Sequence, residues 1–207
     1  MWKVDRKITV KVNDKDILVK IYYDDKLKTG WKKQRLIDSV FLRVPPDTSD
    51  EDIRKRLNTP FYKEWVKQVE KNKKLISKWD NSLEQLGFKL ENRTEEELKE
   101  IIEKYVAKYE DEFIRPKISI RSINGVWGRC SKSKDKLTFN PVMKYISEEY
   151  IEFIVYHEMI HTYCLNHNPP FFRKMKERYP NYRQMDRELR MWEYLLEKND
   201  IITITEK

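Results

Sequence analysis

Between residues 7 and 23 apolar side chains fall at every second position, Ile8, Val10 and Val12, then Ile17, Val19 and Ile21, broken only by Asn13-Asp14-Lys15-Asp16. A period of two turns one strand face towards a core, and the polar break predicts a hairpin. Leu36 to Val44 reads as another strand, with Val40, Leu42 and Val44 on one face and Pro45-Pro46 closing it. The period then lengthens. Ser49-x-x-Asp52 opens a short helix, Pro60 starts a longer one to about Lys78, and Thr94-x-x-Glu97 opens a third ending near Glu110. Residues 117–123 and 136–140 return to strand character, and a last helix is expected near 182–198.

One further helix carries the chemistry. Ser147-Glu148-Glu149 is a plausible start, and Tyr150, Ile151, Ile154, Val155 and Met159 form an apolar stripe along it. All three histidines of the chain lie here or just beyond, in His157-Glu158-Met159-Ile160-His161 and then His167. At about 100° and 1.5 Å per residue, His157 and His161 stand roughly 40° apart, one turn from each other. Both imidazoles then reach one ion at about 2.0–2.1 Å, the usual zinc–nitrogen distance. Glu158 lies about 100° round the helix and suits a general base, taking a proton from a zinc-bound water whose pKa the ion lowers to about 7.

On a continuous helix His167 would sit about 15 Å from His157, so the helix must end before it. Asn166, Asn168, Pro169 and Pro170 supply the stop. A turn there returns His167 as a third ligand and leaves a fourth position open, the mark of a catalytic zinc site. The alternative is a capping His167, with Glu177, Glu188 or Glu193 completing the site. The spacing also matches the metzincin pattern, except that Cys164 stands where that pattern has Gly.

Trp127-Gly128-Arg129-Cys130-Ser131, Leu137-Thr138-Phe139-Asn140, the H-E-x-x-H segment and Asn166-His167-Asn168-Pro169-Pro170-Phe171-Phe172 follow one another in that order. Together they resemble the W-G-S-C-S, strand-Asn, H-E-x-x-H and N-H-S-x-x-F-W blocks of the YgjP-like metal-dependent hydrolases, relatives of the SprT-like zinc proteases. Tyr179-Pro180-Asn181-Tyr182-Arg183 is similar to that family's P-x-Y-R turn. Arg129, Asn168 and Phe172 depart from the usual Ser, Ser and Trp, and Arg129 alters the charge at the cleft edge. The resemblance implies a zinc-dependent hydrolase, most simply a metallopeptidase, with ligands His157, His161 and His167 and base Glu158. It supplies no substrate.

The expected fold is α+β: a small mixed sheet packed on the zinc-binding helix as a zincin-like core, with a helical middle segment. The expected organisation is a single domain over 1–207, with a β-rich part at 1–46, a helical segment at 47–112 and the zinc-binding core at 113–200. In many zinc peptidases the substrate backbone extends a sheet edge beside the metal helix. Here the strand from Lys136 to Asn140, with Trp127 to Arg129, is expected to border the cleft; the plainer reading puts Trp127 in the core. Tyr182, Arg183 and Tyr163 are candidates for polarising the scissile carbonyl.

Composition narrows the setting. The start is charged and alternating rather than an apolar leader, no run approaches the roughly 18 apolar residues of a membrane span, and Cys130 and Cys164 make no C-x-x-C clamp. A cytoplasmic location with a peptide or protein substrate and no membrane partner is expected. The net charge of +8 raises nonspecific nucleic acid as a partner. Lys63, Lys67, Lys71, Lys74 and Lys78 recur at helical spacing among Phe61, Trp65 and Trp79. The plainer reading is a solvated helix face whose aromatics turn inward. Three functions therefore stay open: a zinc peptidase, including a DNA-associated SprT-like protease; a zinc hydrolase of another bond; and a nucleic-acid- or protein-binding module with a structural metal. Glu158 beside a ligand argues against the last.

Overall fold

The computed structural model describes residues 4–123 and 125–201. They form two compact units, one from residues 4–88 with 197–201 and the other from the described residues of 89–196.

In the first unit, β1 (Arg6–Val12) and β2 (Lys15–Tyr23) form the expected hairpin, with Val10 opposite Ile17. Its turn residues Asn13 and Asp14 both have positive φ, 50° and 60°, the backbone that matches strand twist in a two-residue hairpin and that Asn and Asp tolerate. The sheet is completed by β3 (Lys32–Arg35) and β4 (Ser39–Val44) in the order β1-β2-β4-β3, with β2 and β4 parallel. The strand predicted from Leu36 is therefore shorter, and β3 was not foreseen. Its sequence, Lys-Lys-Gln-Arg, has no apolar alternation because an edge strand can form from polar residues.

Val10, Val12, Ile17, Val19, Ile21, Val40, Leu42 and Val44 bury one face of this sheet with Ile53, Leu57, Tyr62, Val66 and Val69, from α1 (Asp50–Leu57) and α2 (Pro60–Gln85). Ser49 and Asp52 form the predicted capping box. Helix α2 runs seven residues past Lys78, since no breaker intervenes before Gly87, which takes a positive φ of 68°. On α2, Lys67 pairs with Glu64 at 2.5 Å, while Lys71 and Lys78 are exposed. The side chains of Phe61 and Lys74 lie outside the described residues. Buried Lys20 is satisfied by the Glu197 carbonyl and by Asp200 at 2.9 Å.

The second unit holds α3 (Glu95–Lys108), β5 (Lys117–Ile120), β6 (Gly128–Cys130), β7 (Lys136–Phe139), α4 (Glu148–Tyr163), α5 (Pro169–Arg178) and most of α6 (Tyr182–Lys198). The strands make a second sheet in the order β5-β7-β6. The fold is thus α+β with two small mixed sheets rather than one. The two strand groups are separated in sequence by α1 to α3, and each closes a core within its own unit.

Helix α4 is buried almost all round, from Tyr150 to Thr162, rather than along one stripe, because α3 and β6 both pack against it. Asn140 leads into α4 through a 3-10 turn, Pro141–Tyr145, and its buried amide donates to the carbonyls of Ile123 and Val126. That cross-tie holds the approach to β6. Helix α4 ends before His167, as expected, but it does so at Tyr163, with Cys164 already in extended backbone. The prolines after His167 instead start α5, a helix the sequence reading does not predict. Pro169 and Pro170 fill its first turn, where no N–H is required, and the Asn168 side chain accepts from Phe171 N–H. Among the described residues no helix is long and apolar enough to cross a membrane.

Candidate metal centre

His157 and His161 project from α4 one turn apart, their rings 5.0 Å centre to centre. The chain leaves the helix at Cys164, whose N–H bonds back to the Ile160 carbonyl in extended backbone. It returns His167, with Nε2 3.1 Å from Nε2 of His157. Ligand nitrogens of all three residues lie within 4.8 Å of one another.

His161 is turned by its other nitrogen: Nδ1 lies 3.1 Å from the Cys164 carbonyl, so Nδ1–H donates and Nε2 is left as a lone pair. Burial, with neighbouring imidazoles adding to it, holds His157 neutral down to about 3. Burial also lowers His161, aided by His167 and opposed by the bond to Cys164. Neutral imidazoles are the form that binds a cation.

Glu158 lies against Gly128 of β6 and lines the same cleft as the histidines. It is 6% exposed, and the backbone N–H of Cys130 favours its charged form. Burial pushes its carboxyl up to about 8, against the pull of that N–H and of the Arg129 charge. Gly128 makes the approach possible, since a Cβ there would meet Glu158 Cγ at 2.6 Å.

The ladder explains why the Cys130 N–H faces away from the sheet. Asn140 N–H donates to Trp127 C=O and Ser131 N–H to Lys136 C=O. By alternation, Gly128 and Cys130 therefore turn their backbone groups away from β7. Strand β7 is central, with both sides taken by β5 and β6. The strand expected at 136–140 thus offers no edge for a substrate; the edge beside Glu158 is β6.

A cleft of about 380 Å³ opens on the triad. Trp127 and Arg129 line it, as do Asp186, Leu189 and Glu193 from one face of α6. Tyr163, Tyr182 and Arg183 do not: Tyr163 is 57% exposed with its ring beneath Lys174, and Arg183 Nε donates to Tyr182 Oη at 3.0 Å. Among the described residues no carboxylate or thiol joins the His cluster. Glu188 accepts the Tyr150 hydroxyl and Glu177 is exposed. Burial pushes the Cys130 thiol up to about 11, and raises Cys164 as well, which keeps both protonated.

Sequence reasoning missed two site residues, Gly128 and Phe171. Both lie inside the motif blocks of the sequence, but their roles depend on contacts distant in sequence. Phe171 is 2% exposed and packs against all three imidazoles.

The family model of the YgjP-like metallopeptidase domain matches residues 49–191. Among solved structures, the zymogen of the metallopeptidase abylysin from Pyrococcus abyssi aligns at 21% identity and a TM-score of 0.39, over 50% of this chain and 99% of that one. No curated protein matches the chain.

Proposed function

The chain belongs to the YgjP-like metallopeptidase family, and from that premise we propose that it is a zinc-dependent peptidase with ligands His157, His161 and His167 and general base Glu158. The observation that carries this is the convergence of the triad. Tetrahedral ligands at about 2.0–2.1 Å from zinc stand about 3.3 Å apart, and the two Nε2 atoms of His157 and His167 are 3.1 Å apart. Three imidazole donors, with no fourth protein donor among the described residues, suit a catalytic zinc rather than a structural one.

When bound, the ion supplies Lewis acidity that acidifies water and polarises a carbonyl at its open position. Glu158 accepts the proton that the attacking water gives up and returns it to the leaving amine, so the carboxylate ends each turnover as it began. The bare backbone of Gly128 lets that carboxylate sit against β6, where the Cys130 N–H favours its charged form. The outward backbone groups of Gly128 can pair with an extended peptide, adding a strand to the sheet at β6. Trp127 and Arg129 flank that path in the cleft. The packing of α4 on the edge strand β6 supports reading this core as zincin-like.

The test is cleavage of an unfolded protein such as casein by the zinc-loaded chain beside Glu158→Gln. Cleavage abolished by the substitution with zinc still bound is the expected outcome. Equal cleavage by both forms would remove Glu158 as base. No cleavage by the native chain with zinc bound would count against a general peptidase.

A further inference from the structure

Of the three imidazoles, His167 is the exposed one, on the loop between α4 and α5. Among the described residues its ring makes no hydrogen bond except the one to His157. An exposed loop imidazole samples several rotamers, and ordering it on metal binding costs affinity. Something must limit that freedom if the triad is to be set before an ion arrives.

Phe171 is the ring placed to do so. Its centroid is 4.5 Å from His167 at 80°, 4.9 Å from His157 at 72° and 4.9 Å from His161 at 30°. The first two contacts are edge-to-face and the third is stacked, both favoured geometries for aromatic pairs. Phe172 reaches only His167, at 6.3 Å. Phe171 is itself fixed: it is buried in the first turn of α5, and its backbone N–H is held by the Asn168 side chain. The same segment thus carries a ligand, His167, a helix cap, Asn168, and the ring that orients that ligand against α4.

We propose that Phe171 is a positioning residue that pre-sets the three imidazoles for a divalent ion. The inference rests on reading the triad as a metal centre, and the experiment separates the two. Cobalt(II) affinity is measured by chelator competition, with absorption spectra, for the native chain, Phe171→Leu, Phe171→Met and the control Ile151→Val, which thins the buried core of α4. Ring-current shifts of the His167 imidazole are recorded on the metal-free proteins. Phe171→Leu is expected to bind cobalt roughly ten- to a hundredfold more weakly, with altered band intensities and His167 shifts moved towards free-histidine values. Phe171→Met carries the same test if the Leu variant does not fold. Ile151→Val is expected to lose stability while keeping native affinity and spectrum. Native cobalt affinity and spectrum in folded Phe171→Leu or Phe171→Met would overturn the proposal, as would an equal loss of affinity in Ile151→Val. Failure of the native chain to bind cobalt would overturn the metal reading, and this inference with it.

Discussion

Gly128 lies so close to Glu158 that a Cβ at 128 would stand 2.6 Å from Cγ and 2.9 Å from Oε1 of the carboxylate. Those separations are too short for any side chain, so Gly128→Ala must displace the carboxylate or the strand. The expected result is a fall in kcat/KM of roughly a hundredfold or more, the scale of a lost general base, with bound zinc per chain unchanged. Peptide hydrolysis and metal content measured on the same preparation check this. Full activity in Gly128→Ala would show that Glu158 is not held there during turnover.

The triad members differ in what else they support. His167 is exposed, so His167→Ala should lose tight zinc binding while changing the stability of the metal-free protein by less than about 1 kcal/mol. His161 is 9% exposed, bonded to the Cys164 carbonyl and stacked on Phe171. His161→Ala should lose zinc and on the order of 1–3 kcal/mol of stability as well. Urea unfolding in chelator separates the two.

Glu152 on α4 gathers Lys108 at 2.7 Å, the Tyr109 hydroxyl at 2.5 Å and Arg178 at 3.2 Å, joining α3, α4 and α5. Burial pushes its carboxyl up, but those donors outweigh it and hold it below the usual carboxylate value. Glu152→Gln should cost about 2 kcal/mol, the scale of charge-assisted hydrogen bonds in a partly buried site. It should also loosen the far end of α5, read as faster amide exchange there than in α6.

Asp24 and Arg43 form a buried ion pair in the first unit. Burial raises the Asp24 carboxyl, but the Lys26 N–H and the Arg43 guanidinium outweigh that and carry it below 3.8. A carboxyl with a depressed folded pKa stabilises fully above its unfolded value and less as pH falls through the folded one. Its contribution is therefore complete above 3.8 and lost below it. Asp24→Asn removes one charge of this buried pair and should cost roughly 1.5–3 kcal/mol at neutral pH, the scale of a charge-assisted hydrogen bond. The difference from the native chain should shrink in urea melts taken below pH 3.8.

Local structure was legible in the sequence. The one-turn separation of His157 and His161 follows from helix geometry alone. The boxes at Ser49 and Thr94 and the Asn13-Asp14 turn depend on neighbours within four residues. Residues so close in the chain meet whatever the rest of the molecule does. The tertiary structure decided what depends on distant partners. It made β7 central and β6 the edge, because β5 pairs on the side that sequence could not assign. It brought Gly128 against Glu158 across thirty residues of chain, which only the packing of α4 on β6 sets. It turned the prolines after His167 from a stop into the start of α5, and so put Phe171 against all three imidazoles. Periodicity reports which face of an element is apolar; which element comes to cover that face is settled only when the chain folds.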